Sequence, residues 1–270
     1  MDHVHKAAFL IAALLAAPSL AFAGISMTYP LHESFEDGAV VQAGFISPGQ
    51  TFDVVFSNDS GYGYKWDSLE VLPSGLPAGW RVESIQRTDP SLVAKISVPR
   101  GTGQGIYNVV FRLSASSQPG ASESVQARIV ARNNLLVVSF SRNSDGEFVP
   151  VGGTEVYSVK LTNPSIASMS VRVGSGLPSN WFAGKYAELK PGTSIDLDLN
   201  VTPLSSGRFP FSFYAFSVEE DVVVQSYSSE LRAQPTLKGK LGSPLSGFPF
   251  FTFTLLPFQL FGSFFSLLLP

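Results

Sequence analysis

The chain repeats itself. Ser74-Gly75-Leu76-Pro77-Ala78-Gly79-Trp80 returns 101 residues later as Ser175-Gly176-Leu177-Pro178-Ser179-Asn180-Trp181. Three flanking features recur in the same order. Thr51–Asn58 corresponds to Thr154–Asn163, each ending on an asparagine. Leu92, Ala94, Ile96 and Val98 match Ile195, Leu197, Leu199 and Val201. Gly105-Ile106-Tyr107 matches Gly207-Arg208-Phe209. Self-similarity at this period marks a duplicated domain of about 100 residues, so the chain must solve one folding problem twice.

Within each copy the apolar residues alternate. Phe52, Val54 and Phe56 are interleaved with Asp53, Val55 and Ser57, and Tyr157, Val159 and Leu161 with Ser158, Lys160 and Thr162. Successive side chains of a strand point to opposite faces, so each run has one face for a core and one for water. Turn signals separate the runs at Ser47-Pro48-Gly49, Pro73-Ser74-Gly75, Pro119-Gly120, Asp145-Gly146 and Pro191-Gly192. Short alternating strands at this spacing predict an all-β chain of two tandem immunoglobulin-like antiparallel β-sandwiches, over 24–133 and 134–235. The chain has no cysteine. Both cores must therefore hold by burial alone.

The motif set resembles a known family. A strand ending in a Thr-Asn turn is followed by Gly176-Leu177-Pro178-x-x-Trp181, by the turn Leu189-Lys190-Pro191-Gly192, by a strand ending Val201-Thr202-Pro203, and by a last strand after Gly207. That order is similar to the NEW3 type of immunoglobulin-like domain, related to CARDB-like adhesion modules of prokaryotic exported and cell-surface proteins. The second copy carries the whole pattern. The first departs from it where Arg87-Thr88-Asp89-Pro90 replaces the Leu-x-Pro-Gly turn. The resemblance implies a sandwich fold and no catalytic activity. The Trp80 and Trp181 rings, each after a Gly-Leu-Pro turn, are expected to fold over one end of their sandwich with the indole N–H left in water.

The ends read as targeting segments. Lys6, the apolar run 7–17 and Ala21-Phe22-Ala23 have the order of a secretory signal peptide over 1–23. After a linker at 236–241, residues 242–270 are uncharged and rich in Phe and Leu. That length suits a C-terminal membrane anchor, kinked at Pro249 and Pro257. A cleaved sorting tail and an apolar segment packed on a partner are the alternatives. The expected location is the cell envelope, with both domains outside and the membrane as one partner.

Few residues offer chemistry. His32 is the one histidine after 1–23, and no nucleophile elbow accompanies it, so a catalytic triad has no support. One histidine and no cysteine argue against a zinc site. Asn143–Glu147 spaces oxygen ligands as a calcium loop would, but reads better as a hairpin turn, and Glu219-Glu220-Asp221 reads as a solvated turn. Lys and Arg are scattered at a net charge of −3, which excludes a nucleic-acid footprint. No catalytic residue, cofactor or metal is expected.

One loop stands out. Asn58–Asp67 sets Tyr62, Tyr64 and Trp66 among glycines and polar residues, where the second copy has the plainer Pro164–Ser168. Aromatics on a loop furnish binding surfaces, so these three are the candidate contact residues for a protein or glycan partner; packing over the sandwich edge is the competing reading. Asn58 and Asn200 also head glycosylation sequons. The function expected is non-catalytic adhesion, spacing or assembly at the cell surface, and the alternative is the carbohydrate-binding accessory of a glycoside hydrolase system.

Overall fold

The computed structural model describes residues 24–142 and 148–235. The signal segment 1–23, the turn at 143–147, the linker 236–241 and the tail 242–270 lie outside the described residues. Among those described, strands dominate and a single 3-10 turn, Pro73–Gly75, is the helical element. The all-β reading therefore holds. The residues fall into two compact units. The first holds 24–44, 51–98 and 105–130; the second holds 45–50, 99–104, 131–142 and 148–235.

Nine strands build the first unit: β1 (Ile25–Tyr29), β2 (Glu33–Phe35), β3 (Ala39–Ile46), β4 (Thr51–Ser57), β5 (Ser68–Val71), β6 (Arg81–Thr88), β7 (Ser91–Ser97), β8 (Gly105–Ser114) and β9 (Ser122–Ala131). They form two sheets, β2-β1-β4-β7-β6 and β3-β9-β8-β5. A first strand beside the second, then the fifth and fourth, facing a sheet of third, sixth and seventh, is the immunoglobulin-like order. Phe52, Val54 and Phe56 of β4 are buried, as are Leu92, Ala94 and Ile96 of β7 and Val109, Phe111 and Leu113 of β8.

The second unit continues with β10 (Val137–Arg142), β11 (Val149–Pro150), β12 (Glu155–Thr162), β13 (Met169–Ser175), β14 (Lys185–Leu189), β15 (Ser194–Val201), β16 (Gly207–Ser217) and β17 (Val222–Gln234). Its sheets are β10-β12-β15 and β11-β17-β16-β13-β14. Tyr157, Val159, Leu161, Met169, Val171, Val173, Phe213 and Leu231 fill its core. Tyr157, Phe211, Phe213 and Phe182 meet there mostly edge to face, the arrangement that the ring quadrupoles favour.

Register carries the duplication further than the sequence match. In the first unit Phe52 pairs with Ile96 and Phe56 with Leu92. Their counterparts Tyr157 and Leu161 pair with Leu199 and Ile195. Because a one-residue slip would turn a strand's apolar set outward, conserved core spacing holds the same pairing in both copies.

The copies part after the tryptophan. In the first, β6 starts at once at Arg81 and hairpins onto β7 through Asp89-Pro90, so both strands share one sheet. In the second, Phe182 to Gly184 intervene, β14 pairs with β13 instead, and Lys190-Pro191-Gly192 then leads across to β15 in the other sheet. The departure at Arg87–Pro90 is thus the signature of a tight hairpin in place of a sheet-crossing turn. Gly192 has φ +65 there, a conformation cheap only for glycine.

One turn reading needs correction. Glu219 and Glu220 lie in the turn between β16 and β17 but are not merely solvated. Glu219 Oε1 accepts the Ser170 N–H at 2.8 Å, and Glu220 Oε2 accepts the Asn134 N–H at 2.8 Å. Each carboxylate satisfies a backbone donor that the strand ladders leave over.

Candidate functional site

The loop between β4 and β5 is a small ordered hairpin. Asp59 and Lys65 form an isolated antiparallel bridge, and the Trp66 N–H donates to the Asn58 carbonyl at 2.7 Å. The Ser60 hydroxyl donates to the Tyr64 carbonyl at 2.6 Å and accepts the Tyr62 N–H at 3.1 Å. The Asp59 carboxylate accepts the Gly61 N–H at 2.9 Å. Gly61 and Gly63, at φ +69 and +87, flank Tyr62 and turn the chain tightly enough to lift its ring outward.

Both ends of the loop are pinned by carboxylates. Asn58 Nδ2 donates to Asp89 Oδ1 at 2.5 Å, and Lys65 Nζ reaches the same oxygen at 3.4 Å. At the other end the Asp67 carboxylate accepts the Ser116 backbone N–H at 3.0 Å and the Ser116 hydroxyl. The Ser116 hydroxyl and N–H hold Asp67 below the ordinary carboxylate range, and Asn58, then Lys65, do the same for Asp89. Hydrogen bonds to the charged form favour it.

The three aromatics form a ladder from solvent to core. Tyr62 is 53% exposed. It stacks on Tyr64 with centroids 5.7 Å apart and planes at 14°. Tyr64 is half-buried and meets Trp66 edge-on at 5.3 Å and 88°. Trp66 is fully enclosed, at 0% exposure. The expectation that all three contact a partner is therefore corrected at Trp66, which has no accessible face. Its indole anchors Tyr64, which backs Tyr62.

A residue that the sequence did not flag completes the site. The Glu123 carboxylate, near the start of β9, approaches the Tyr62 phenol and raises its pKa. Burial raises that of the Glu123 carboxyl, with the Tyr62 phenol opposing. Nothing in local spacing links positions 62 and 123; only the sandwich brings them together. The surface so formed offers a flat aromatic face beside a carboxylate. Aromatic faces of this kind bind apolar surface, while their polar tips and neighbours fix orientation.

Other candidates are structural. Trp80 is buried against Phe52 (6.2 Å, 78°) and Tyr107 (5.3 Å, 35°). Its Nε1 is enclosed without a partner, so the expectation of a wet N–H fails in this copy. Trp181 is also buried, edge-on to Phe209. Both begin from the same turn, with the Trp80 backbone N–H donating to the Pro77 carbonyl at 3.0 Å and the Trp181 backbone N–H to the Pro178 carbonyl at 2.9 Å.

His32 is exposed. No three His, Asp or Glu groups among the described residues converge as metal ligands. Asn163, the counterpart of Asn58, is fully buried. Its Nδ2 donates to the Ala167, Leu189 and Lys190 carbonyls, and its Oδ1 accepts from Ser165. Of the two sequon asparagines, Asn200 is exposed, whereas Asn58 is buried with its amide committed to Asp89.

Strand order and register define a protein of immunoglobulin-like β-sandwich units. No family model matches the chain, and no curated relative matches it. Among solved structures it is similar to the fibronectin(III)-like modules of Clostridium thermocellum CbhA, at 11% identity over 78% of this chain and 94% of that one, with a TM-score of 0.30. It is also similar to the D00-D0 domain of intimin, at 15% identity over 77% and 98% with a TM-score of 0.28. A third is a β-glucosidase from Listeria innocua, at 11% identity over 37% of this chain and 16% of that one, TM-score 0.26. The fold assignment rests on the chain's own strand pairing rather than on these scores. Among the described residues no helix is long and apolar enough to cross a membrane.

Proposed function

We propose that this chain is a non-catalytic, exported cell-envelope protein whose sandwich units serve adhesion, spacing or assembly, with the Tyr62–Tyr64 stack as its contact surface. The observation that carries the reading is the aromatic ladder. Three hydrogen bonds within the loop, with one to Asp89 and one from Ser116 at its ends, hold an exposed tyrosine in place, and a pre-ordered aromatic loses little entropy when a partner covers it. Signal-like residues 1–23 support export, and the uncharged stretch 242–270 supports retention at a membrane with the units outside. The second copy's turn set supports the NEW3-like assignment.

A glycan fits the surface best, because a sugar's C–H face can lie on Tyr62 while Glu123 accepts from its hydroxyls. That observation also favours the second reading, a carbohydrate-binding accessory of a glycoside hydrolase system. Retention of the full chain on immobilised polysaccharides and on isolated envelopes, with the supernatant analysed for released sugars, tests both. Retention without release supports the proposal. Release of reducing ends contradicts it.

A further inference from the structure

The first unit starts from a fixed point. Gly24 directly precedes β1, which pairs with both β2 and β4 and buries Ile25 and Met27 completely. Gly24 is itself buried, and its N–H donates to the Ser60 carbonyl at 2.9 Å. A Cβ added there would lie 2.4 Å from the Phe35 carbonyl oxygen, so this close backbone approach admits only glycine.

Glu123 stands beside the same point. The added Cβ would be 3.9 Å from Glu123 Oε2, and the Gly24 nitrogen is bonded to the same Cα, within reach of a turn of the Glu123 side chain. Oε2 is enclosed and has no hydrogen-bond partner, a costly state for a carboxylate oxygen and one that calls for a donor. In the uncleaved chain burial raises the carboxyl's pKa, the Tyr62 phenol opposes the rise, and Asp37 adds to it.

The small-x-small pattern Ala21-Phe22-Ala23 ends immediately before Gly24. Hydrolysis of the Ala23–Gly24 bond gives the hydroxyl of water to the Ala23 carbonyl carbon and its hydrogen to the Gly24 nitrogen. The amine so released takes up a proton at neutral pH.

We infer that this cleavage makes Gly24 a structural cation, whose α-ammonium keeps its bond to the Ser60 carbonyl and pairs with Glu123 Oε2. An amide has one N–H to give, and Ser60 takes it; an ammonium has three. The added donors are what Glu123 lacks, and a hydrogen bond between charged groups is stronger than a neutral one. The Ser60 hydroxyl also holds the Tyr64 carbonyl and the Tyr62 N–H, so processing ties the Tyr62 loop and the start of β9 to the new N-terminus. The inference rests on the export reading and is independent of what covers Tyr62.

The full chain, exported by a bacterial host and extracted from its envelope, supplies two measurements. Mass spectrometry of the N-terminal peptide should find Gly24 first. Acetylation of its α-amine by acetic anhydride, followed against pH in that peptide, gives the amine's pKa. The ordinary value is about 8, and pairing should raise it by about one unit or more, so that labelling at pH 7 is about tenfold slower than in Glu123→Gln. Glu33→Gln, which removes an exposed carboxylate opposite Met27 on β2, should match the wild type. Asp37 and Glu36, the other carboxylates acting at this surface, are unchanged in both variants. The midpoint separates pairing from enclosure, because shielding slows labelling at every pH without moving it. A chain that begins at another residue overturns the inference through its cleavage step. One that begins at Gly24 with an ordinary midpoint, or with a raised midpoint that persists in Glu123→Gln, overturns the pairing and leaves the export reading standing.

Discussion

Trp181 stands edge-on to Phe209, with centroids 4.7 Å apart and planes at 87°, and the first copy repeats the pair as Trp80 with Tyr107. The tryptophan follows the Gly-Leu-Pro turn and its partner lies near the start of β8 or β16, so each pair ties a turn to a strand distant in sequence.

Removing either indole should therefore cost its unit a core closure. Trp80→Ala and Trp181→Ala are each expected to destabilise by about 3–5 kcal/mol, in the range of large-to-small aromatic substitutions in cores. Denaturant unfolding followed by circular dichroism measures this; a loss below about 1 kcal/mol at both would show that the rings do not close the cores.

The shared glycine of the motif is predicted to behave differently in the two copies. A Cβ on Gly75 would lie 2.5 Å from Val110 Cγ2, whereas one on Gly176 would meet nothing within 4 Å. Val is stiff at χ1 and cannot swing aside. Gly75→Ala should cost about 1–3 kcal/mol by overpacking, and Gly176→Ala less than about 0.5 kcal/mol. Thermal unfolding of both variants checks the asymmetry.

The fold was legible in the sequence to the extent that burial dictated it. The alternation of Phe52, Val54 and Phe56 set a strand and its inward face, and the offset to Tyr157, Val159 and Leu161 announced a second one. Which sheet the strand after the tryptophan would join was written only in the turn, as Asp89-Pro90 against Lys190-Pro191-Gly192, and needs the three-dimensional pairing to interpret. The site was half legible. Aromatics among glycines marked the loop, but burial of Trp66 and the approach of Glu123 to Tyr62 depend on where β9 passes, which no local pattern encodes.

Asn163 makes a separate test of the second unit. Asn163→Ala would leave the Ala167, Leu189 and Lys190 carbonyls without their shared donor, and the unit should lose about 1–3 kcal/mol. Asn163→Asp should do no better, since a carboxylate has no N–H to give those carbonyls. Stability equal to wild type in either variant would mean that water replaces the amide.

Acid should loosen the Tyr62 loop at a defined point. Asp67 and Asp89 both sit below their ordinary carboxylate values, so their contribution is present above the unfolded pKa and is lost as pH falls through the lowered folded values. NMR signals of the Trp66 indole and the Asn58 side-chain amide should hold steady from pH 7 down to the ordinary carboxylate range and shift only below it, whereas Tyr62 of the uncleaved chain should already respond as Glu123 protonates above that range. In Asp89→Ala the Asn58 end should already be loosened at neutral pH.

The Tyr62–Tyr64 stack as a contact surface is tested most directly by the affinity of the full chain for whichever immobilised polysaccharide or envelope fraction retains it, measured for wild type, Tyr62→Ala and the control Tyr186→Ala, whose ring is still more exposed than that of Tyr62. The account predicts a loss of about tenfold or more for Tyr62→Ala, the scale of an aromatic anchor, with Tyr186→Ala unchanged and both variants folded. Undiminished binding by folded Tyr62→Ala would contradict it.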